Sequence, residues 1–205
     1  MSTLPLVTVV VRAPVVSLGE AITAYCRLHP ATREPAQDLS VAWAPRAGDD
    51  EDRAFVGWGV AARVAGTGAE RFSEVRVQAE HVWGRMRRAP ELPFAPRLFG
   101  GFAFDADRGG PFSAGSVGAA WAAFGAAGFV LPRVLYSYSS SSAVIAAFVP
   151  EADVAVVRLQ MEALRRELAA VSAAAGSAGH AGSAAHPSSF RASAGDFEIR
   201  GSGDG

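Results

Sequence analysis

Two apolar segments joined by a run of four serines constrain the fold of this chain more than any other feature. Residues 129–138 and 143–149 are rich in β-branched and aromatic side chains, and residues 139–142 are all serine. This pattern predicts an antiparallel β-hairpin. Pro132 lies within the first segment, so we expect that strand to lie at a sheet edge or to contain a β-bulge there.

The segment after Pro150 predicts a helix with one apolar face. Its apolar residues recur at alternating steps of three and four, at Val154, Val157, Met161, Leu164, Leu168 and Val171. The pattern is too short for a coiled coil, so we expect this face to pack on a sheet. Glu162 and Arg166 have the spacing of an i,i+4 ion pair. From Ser172 the composition changes to alanine, glycine and serine, which predicts a folded unit at 1–171 and a flexible linker or tail at 172–205.

Six further elements follow from hydrophobic periodicity and capping signals. We predict strands at residues 6–13, 41–43, 55–64 and 97–104, and helices at 17–28 and 72–86. The first helix begins with a capping box, in which Ser17 is the N-cap and Glu20 lies three residues later. Together the elements predict an α+β fold, with antiparallel sheet or sheets and helices packed outside.

The charged residues exclude several classes of function. The net charge of the 205-residue chain is −1, and all 19 basic residues are arginine. A nearly neutral chain gives no electrostatic reason to expect nucleic acid or an anionic membrane as a partner. Because lysine is absent, no lysine of this chain can act as a base or form a Schiff base.

The single cysteine and the histidines are weak candidates for a site. Cys26 lies in a predicted helix, where we expect a small buried hydrophobic residue rather than a nucleophile. His81 lies beside the apolar stripe of the second helix, and we interpret it as a packing residue rather than a metal ligand. His180 and His186 lie in the predicted tail, where we expect no specific metal site.

Two charged clusters also favour structural roles. The acidic residues within 48–52 are consecutive, and consecutive carboxylates on a loop do not converge on one ion, so we interpret them as a solvated turn. Arg85, Arg87 and Arg88 lie near the end of the second predicted helix, where positive charge complements the helix dipole. They therefore need no ligand to explain them.

The glycine pair in RLFGGFAFD, residues 97–105, could belong to a phosphate-binding loop or to a strand. A phosphate loop leads directly into a helix N-terminus, whereas this segment continues as alternating aromatic and small residues. We therefore interpret Gly100 and Gly101 as a bulge or a close approach of two backbones in a sheet. Gly57 and Gly59 lack the third glycine and the following helix of a dinucleotide-binding motif.

The same segment carries a family resemblance. PRLFGGFAFD at 96–105, WAAFG at 121–125 and GFVLPR at 128–133 resemble the N-terminal half of isochorismate synthases. These belong to the chorismate-utilising enzymes, together with anthranilate synthase component I, aminodeoxychorismate synthase and salicylate synthase. FVGWGVAAR at 55–63 is similar to an upstream strand of the family, and the order of elements agrees from about residue 43 to residue 149.

The resemblance implies the conversion of chorismate to isochorismate, with Mg²⁺ holding the substrate carboxylate. In the family a lysine activates the attacking water, a glutamic acid protonates the leaving hydroxyl, and further glutamates bind the metal. All of these belong to the C-terminal half, and none can be carried over to a residue of this chain. We therefore assign no catalytic, cofactor-binding or metal-binding residue here, and expect residues 1–205 alone to be inactive and to bind no Mg²⁺.

The resulting prediction is the N-terminal portion of an isochorismate synthase, which would serve menaquinone or siderophore biosynthesis. Its partners would be chorismate and a missing C-terminal half that completes the sheets. The alternatives are another chorismate-utilising enzyme, or a stand-alone binding domain without catalysis. Residues 4–11 lack the features of a signal peptide and no apolar run is long enough to cross a membrane, so we expect a cytoplasmic protein.

Overall fold

The computed structural model describes residues 5–29, 39–45, 53–103 and 126–178, which form a mixed, mostly antiparallel sheet with three α-helices. The strands are β1 (Leu6–Ala13), β2 (Leu39–Trp43), β3 (Ala54–Gly66), β4 (Met86–Arg87), β5 (Phe99–Phe102), β6 (Ala127–Tyr138) and β7 (Ala143–Pro150). The helices are α1 (Leu18–Leu28), α2 (Arg71–Gly84) and α3 (Val154–Ala178). The predicted α+β class is confirmed.

The sheet has the strand order β2-β3-β6-β7-β1-β4, and β5 adds to β6. The pairs are antiparallel except for β1 and β4, which run parallel. The longest pairing joins β3 to β6, from Ala54 opposite Tyr138 to Gly66 opposite Ala127. Because β3 occupies one edge of β6 throughout, β5 and β7 share the other edge, at residues 127–130 and 134–138.

The predicted hairpin is confirmed as β6 and β7. Its turn is closed by a hydrogen bond in which the Ser139 amide donates to the Ser142 carbonyl oxygen at 2.8 Å. Residues 143–149 of β7 are buried on both faces of the sheet. Alternate side chains point to opposite faces of a strand, so a wholly apolar strand must be covered on both sides. The sequence AVIAAFV meets this demand.

Pro132 lies at an irregularity of the sheet rather than at its edge. β6 is a central strand, but the register of β3 on β6 shifts between Val60 and Ala62, directly opposite Pro132. On the other side of β6, Pro132 falls between the last residue paired with β5 and the first paired with β7. The bulge that we predicted as one alternative is therefore confirmed. Gly59, next to the bulge, has a φ of +62°, which favours glycine.

One face of the sheet is covered by α1 and α3. The buried residues of α3 are the predicted stripe: Val157, Met161, Leu164, Leu168 and Val171. They pack with Ala21 and Ala24 of α1 and with alternate residues of β7, such as Ile145 and Ala147. The predicted packing of the last helix on a sheet is confirmed.

The other face is covered by α2 and by the segment between β4 and β5. Val75 and Val82 of α2, with Leu92 and Phe94 of that segment, pack in a cluster that includes Phe148 of β7. Among the residues of the described ranges, no helix combines the length and the apolar character needed to cross a membrane.

The capping box of α1 is confirmed in full. Glu20 N donates to Ser17 Oγ at 3.3 Å, and Ser17 N donates to Glu20 Oε2 at 2.7 Å. These two bonds satisfy amides that the first turn of a helix leaves without intrahelical partners. The helix ends at Leu28, as predicted.

The predicted limits of α2 were wrong at its end. The helix stops at Gly84, and Met86 belongs to β4, which pairs with Leu6 of β1. Phe72, the first residue of the predicted helix, is 53% exposed. The β1 residues that pair with β4 are distant from it in sequence, so the local pattern after α2 did not indicate this strand.

The interpretation of residues 172–178 as linker was also wrong. α3 continues to Ala178, since alanine favours helix and the segment adds almost two turns to an existing helix. The predicted ion pair between Glu162 and Arg166 was wrong. Glu162 pairs with Arg165 at 2.7 Å, whereas Arg166 donates to the Glu162 carbonyl oxygen. The predicted strand at 97–104 is shorter, at Phe99–Phe102, and the remainder of the predicted tail lies outside the described residues.

Candidate functional site

The glycine pair of the GGFAFD motif lies where β5 pairs with β6. Gly100 is opposite Phe129, and Gly101 is opposite Gly128. A Cβ atom added to Gly100 would collide with the Gly128 carbonyl oxygen and would lie 2.6 Å from the Phe129 Cα, whereas one added to Gly101 would meet none of the described residues within 4 Å. Gly100 therefore permits a close approach of two backbones, as predicted, and Gly101 has room for a Cβ atom among the described residues.

The strand with this motif is anchored to the core by an aromatic cluster. The Phe99 ring lies 5.6 Å from that of Phe55, and Phe94 meets Phe55 edge-on at 5.3 Å. The Arg97 guanidinium lies over the Phe55 ring, 5.2 Å from its centroid. Aromatic contacts of this kind fix ring orientation as well as burying area. The motif thus belongs to a rigid part of the sheet.

The far end of β5 carries a half-exposed aromatic surface. The Phe102 ring lies 4.5 Å from Phe72 of α2 and 4.9 Å from Phe129 of β6. Phe102 is 40% exposed. The Arg71 guanidinium lies 4.5 Å from the Phe72 ring centroid and donates to the Gly68 carbonyl oxygen, while its Nε atom is buried without a partner in the described structure.

A cleft of about 340 Å³ opens on the surface where the chain turns from α2 into β4. The described residues that line it are Trp83, Met86, Arg88, Ala95 and Pro96. Trp83 and Met86 are partly buried and also pack against the core cluster that includes Val75 and Val82 of α2.

Tyr136 is a buried titratable group with a structural role. Its hydroxyl accepts from the Val16 amide at 2.9 Å and donates to the Pro14 carbonyl oxygen at 2.9 Å, which ties the chain before α1 to β6. Burial raises the pKa of Tyr136 to about 12. The phenol therefore remains protonated at neutral pH and holds structure rather than transferring protons.

Comparison with known families decides the membership of the chain. Residues 22–192 match the family model described as chorismate binding enzyme, which is most of the chain. The chain belongs to the chorismate-binding enzyme family. No curated protein gives a significant match.

Membership of the chorismate-binding enzyme family supports chorismate as the substrate. The motif segments of β5 and β6 lie within the matched residues, and in the fold they form one paired unit. Two sequence segments separated by 24 residues therefore meet in the sheet.

The described residues do not fit a Mg²⁺ site. Mg²⁺ requires converging oxygen ligands, and no group of three or more histidine, cysteine, aspartate or glutamate side chains comes together within the described ranges. Several of the carboxylates pair with arginine instead, such as Asp153 with Arg133 at 3.1 Å and Glu151 with Arg87 at 2.6 Å. We derive no step through a metal from these residues.

The structure corrects two of the candidate residues. Cys26 and His81 are both exposed, so neither is the buried packing residue that we predicted. Each lies on the solvent side of its helix, because the buried stripe of α1 passes through Ala21 and Ala24 and that of α2 through Val75 and Val82.

The arginines near the end of α2 make structural contacts, but only Arg85 lies at the helix end, as predicted, because Arg87 belongs to β4 and Arg88 follows it. Arg85 Nε donates to the His81 carbonyl oxygen at 3.3 Å, Arg87 pairs with Glu151, and Arg88 donates to the Phe94 carbonyl oxygen at 2.7 Å. The acidic segment at 48–52, with His180 and His186, lies outside the described residues. The sequence analysis did not predict the cleft, because the residues that line it come from α2, from β4 and from the segment between β4 and β5 and form no recognisable sequence motif.

Proposed function

We propose that this chain is the N-terminal portion of an isochorismate synthase. The observation that carries the proposal is the pairing of GGF in β5 with GFV in β6, because these are the segments that resemble the isochorismate synthase branch. Family membership supports chorismate as the substrate. The product would serve menaquinone or siderophore biosynthesis. A single cysteine cannot form a disulfide within the chain, which favours the reducing cytoplasm as its location.

In this proposal the described residues form a scaffold rather than the reacting groups. Hydration of one ring carbon and loss of hydroxide from another require a base and an acid on opposite sides of the ring. The resemblance assigns the base to a lysine, and none of the 205 residues is a lysine. We therefore assign the base, the acid and the Mg²⁺ ligands to a polypeptide segment outside this sequence.

The sheet gives such a segment places to pack. β5 is a four-residue strand whose Gly101 has no described residue within 4 Å of an added Cβ atom, and Phe72 and Phe102 are exposed. Strand edges and exposed aromatic surfaces favour association with further chain. These features support a fold completed by additional strands.

The test is to sequence the gene beyond the Gly205 codon and to identify the product that the encoded polypeptide forms from chorismate. We expect a lysine-bearing strand followed by glutamates, and isochorismate as the product with Mg²⁺. Anthranilate, aminodeoxychorismate or salicylate would assign the chain to another branch of the family. An immediate stop codon, with a monomeric and cooperatively unfolding protein, would favour a binding domain and overturn the proposal.

A further inference from the structure

The cleft beside α2 has the size and walls of a site for one small ring compound. Its volume of about 340 Å³ is at the lower end of the range of about 300–1,000 Å³ for small-molecule sites. Trp83, Met86 and Pro96 are among the described residues that line it, and each has an apolar side chain. Flat aromatic and polarizable surfaces of this kind favour an unsaturated ring as the occupant.

Arg88 gives the cleft a positive charge that no carboxylate neutralises within the described structure. The arginine uses one nitrogen, Nη2, to donate to the Phe94 carbonyl oxygen at 2.7 Å. A guanidinium has five N–H donors, so this bond holds the side chain and leaves other donors for a ligand. The adjacent Arg87 differs, because it is paired with Glu151 at 2.6 Å.

The charge at the end of α2 supports an anion here. The carbonyl end of a helix carries partial negative charge, which opposes the binding of an anion. At the end of α2 the Arg85 side chain donates to the His81 carbonyl oxygen and offsets part of that charge. A cation would be repelled by Arg88, and a neutral hydrocarbon would not use the guanidinium donors that the Phe94 carbonyl oxygen leaves free. An inorganic phosphate would leave the walls formed by Trp83 and Pro96 without an apolar contact.

We propose that the cleft binds a small planar carboxylate with an unsaturated ring. The ring packs against Trp83, and the carboxylate accepts two parallel N–H bonds from Arg88, the geometry that arginine favours. The site is separate from the GGFAFD strand, so the inference does not depend on the proposed isochorismate synthase activity.

Titration of the 205-residue chain with benzoate, followed by NMR, tests the site. We expect saturable shifts of the Trp83 indole N–H and of the Met86 methyl resonance, with the indole signal assigned by its loss in Trp83→Phe. Loss of a charged hydrogen-bonded pair is worth about 1.5–3 kcal/mol, so Arg88→Gln should weaken benzoate binding about tenfold or more. The matched control, Arg87→Gln, should bind within about twofold of the parent because its side chain pairs outside the cleft.

Two further comparisons keep the test decisive. Benzamide, which lacks the charge, and cyclohexanecarboxylate, which lacks the flat ring, should each bind more weakly than benzoate. If Arg88→Gln fails to fold because the Phe94 contact is lost, Arg88→Lys keeps a charge and a donor but loses the paired geometry, and should still weaken binding. Equal binding of benzoate to the parent and the Arg88 variant that folds, no shift at Trp83, or equal binding of benzamide would overturn the proposal.

Discussion

Replacing Gly100 with alanine tests whether the glycine pair of the motif serves the approach of two backbones. The new Cβ would collide with the Gly128 carbonyl oxygen and the Phe129 Cα, and backbone atoms cannot rotate away as a flexible side chain could. Relief of such overpacking costs about 1–3 kcal/mol. Alanine also restricts the unfolded chain more than glycine does, which stabilises the folded state by about 0.4–1 kcal/mol. We therefore expect a net loss of about 1–2 kcal/mol in the free energy of unfolding.

Gly101 is the matched control because it is the next residue in the same strand. The Cβ of an alanine there would meet no described residue within 4 Å and needs no positive φ, so only the gain of up to about 1 kcal/mol should remain. With an m-value of about 2 kcal/mol/M, urea unfolding should show a midpoint about 0.5–1 M lower for Gly100→Ala, and an unchanged or slightly higher one for Gly101→Ala.

Hydrogen exchange separates a local effect from a global one. The Ala103 amide donates to the Ala126 carbonyl oxygen at 2.9 Å, just beyond the paired residues of β5 and β6. If Gly100→Ala only detaches β5, protection should fall at Ala103 while the urea midpoint stays near the parent value. Equal stability and equal protection in the Gly100 and Gly101 variants would refute the close-approach explanation.

Three other substitutions test the packing, each by urea unfolding of the 205-residue chain. Ser17→Ala removes an N-cap bond and should cost about 1 kcal/mol, and an unchanged midpoint would contradict the capping box. Leu168→Ala should cost about 2–5 kcal/mol because Leu168 is fully buried, whereas Leu159→Ala, at a residue 74% exposed, should change stability by less than about 0.5 kcal/mol. The pKa of Tyr136 is raised from 10.0 to about 12, so the stability that its protonated hydroxyl contributes is fully present below pH 10.0 and is lost as the pH rises towards 12. The free energy of unfolding of Tyr136→Phe should therefore fall less than that of the parent between these pH values. Equal losses in the two proteins would contradict this linkage.

Local signals in the sequence predicted much of the fold. The capping box of Ser17 and Glu20 and the serine turn of the β6–β7 hairpin depend on residues close together in the chain, so the sequence alone indicates them. The stripe of α3 was also predictable, because a long helix on a sheet needs one apolar face.

Other features depend on contacts between distant segments. β4 exists because Met86 pairs with Leu6, and the periodicity of α2 carries no trace of that pairing. The exposure of Cys26 and His81 depends on which stripe of each helix meets the sheet. For the candidate site, the role of Gly100 followed from the motif, whereas the cleft at Trp83 and Arg88 arises only when the turn after α2 and the chain before β5 come together.

Chorismate turnover by the 205-residue chain tests the central claim most directly. The chain is incubated with chorismate and excess Mg²⁺, and the products are separated by chromatography, with the extended polypeptide that we propose as the positive control. We expect isochorismate from the proposed extended polypeptide and only the uncatalysed background from residues 1–205, since the proposed base is a lysine and these residues include none. Isochorismate above background from residues 1–205 alone would contradict the account.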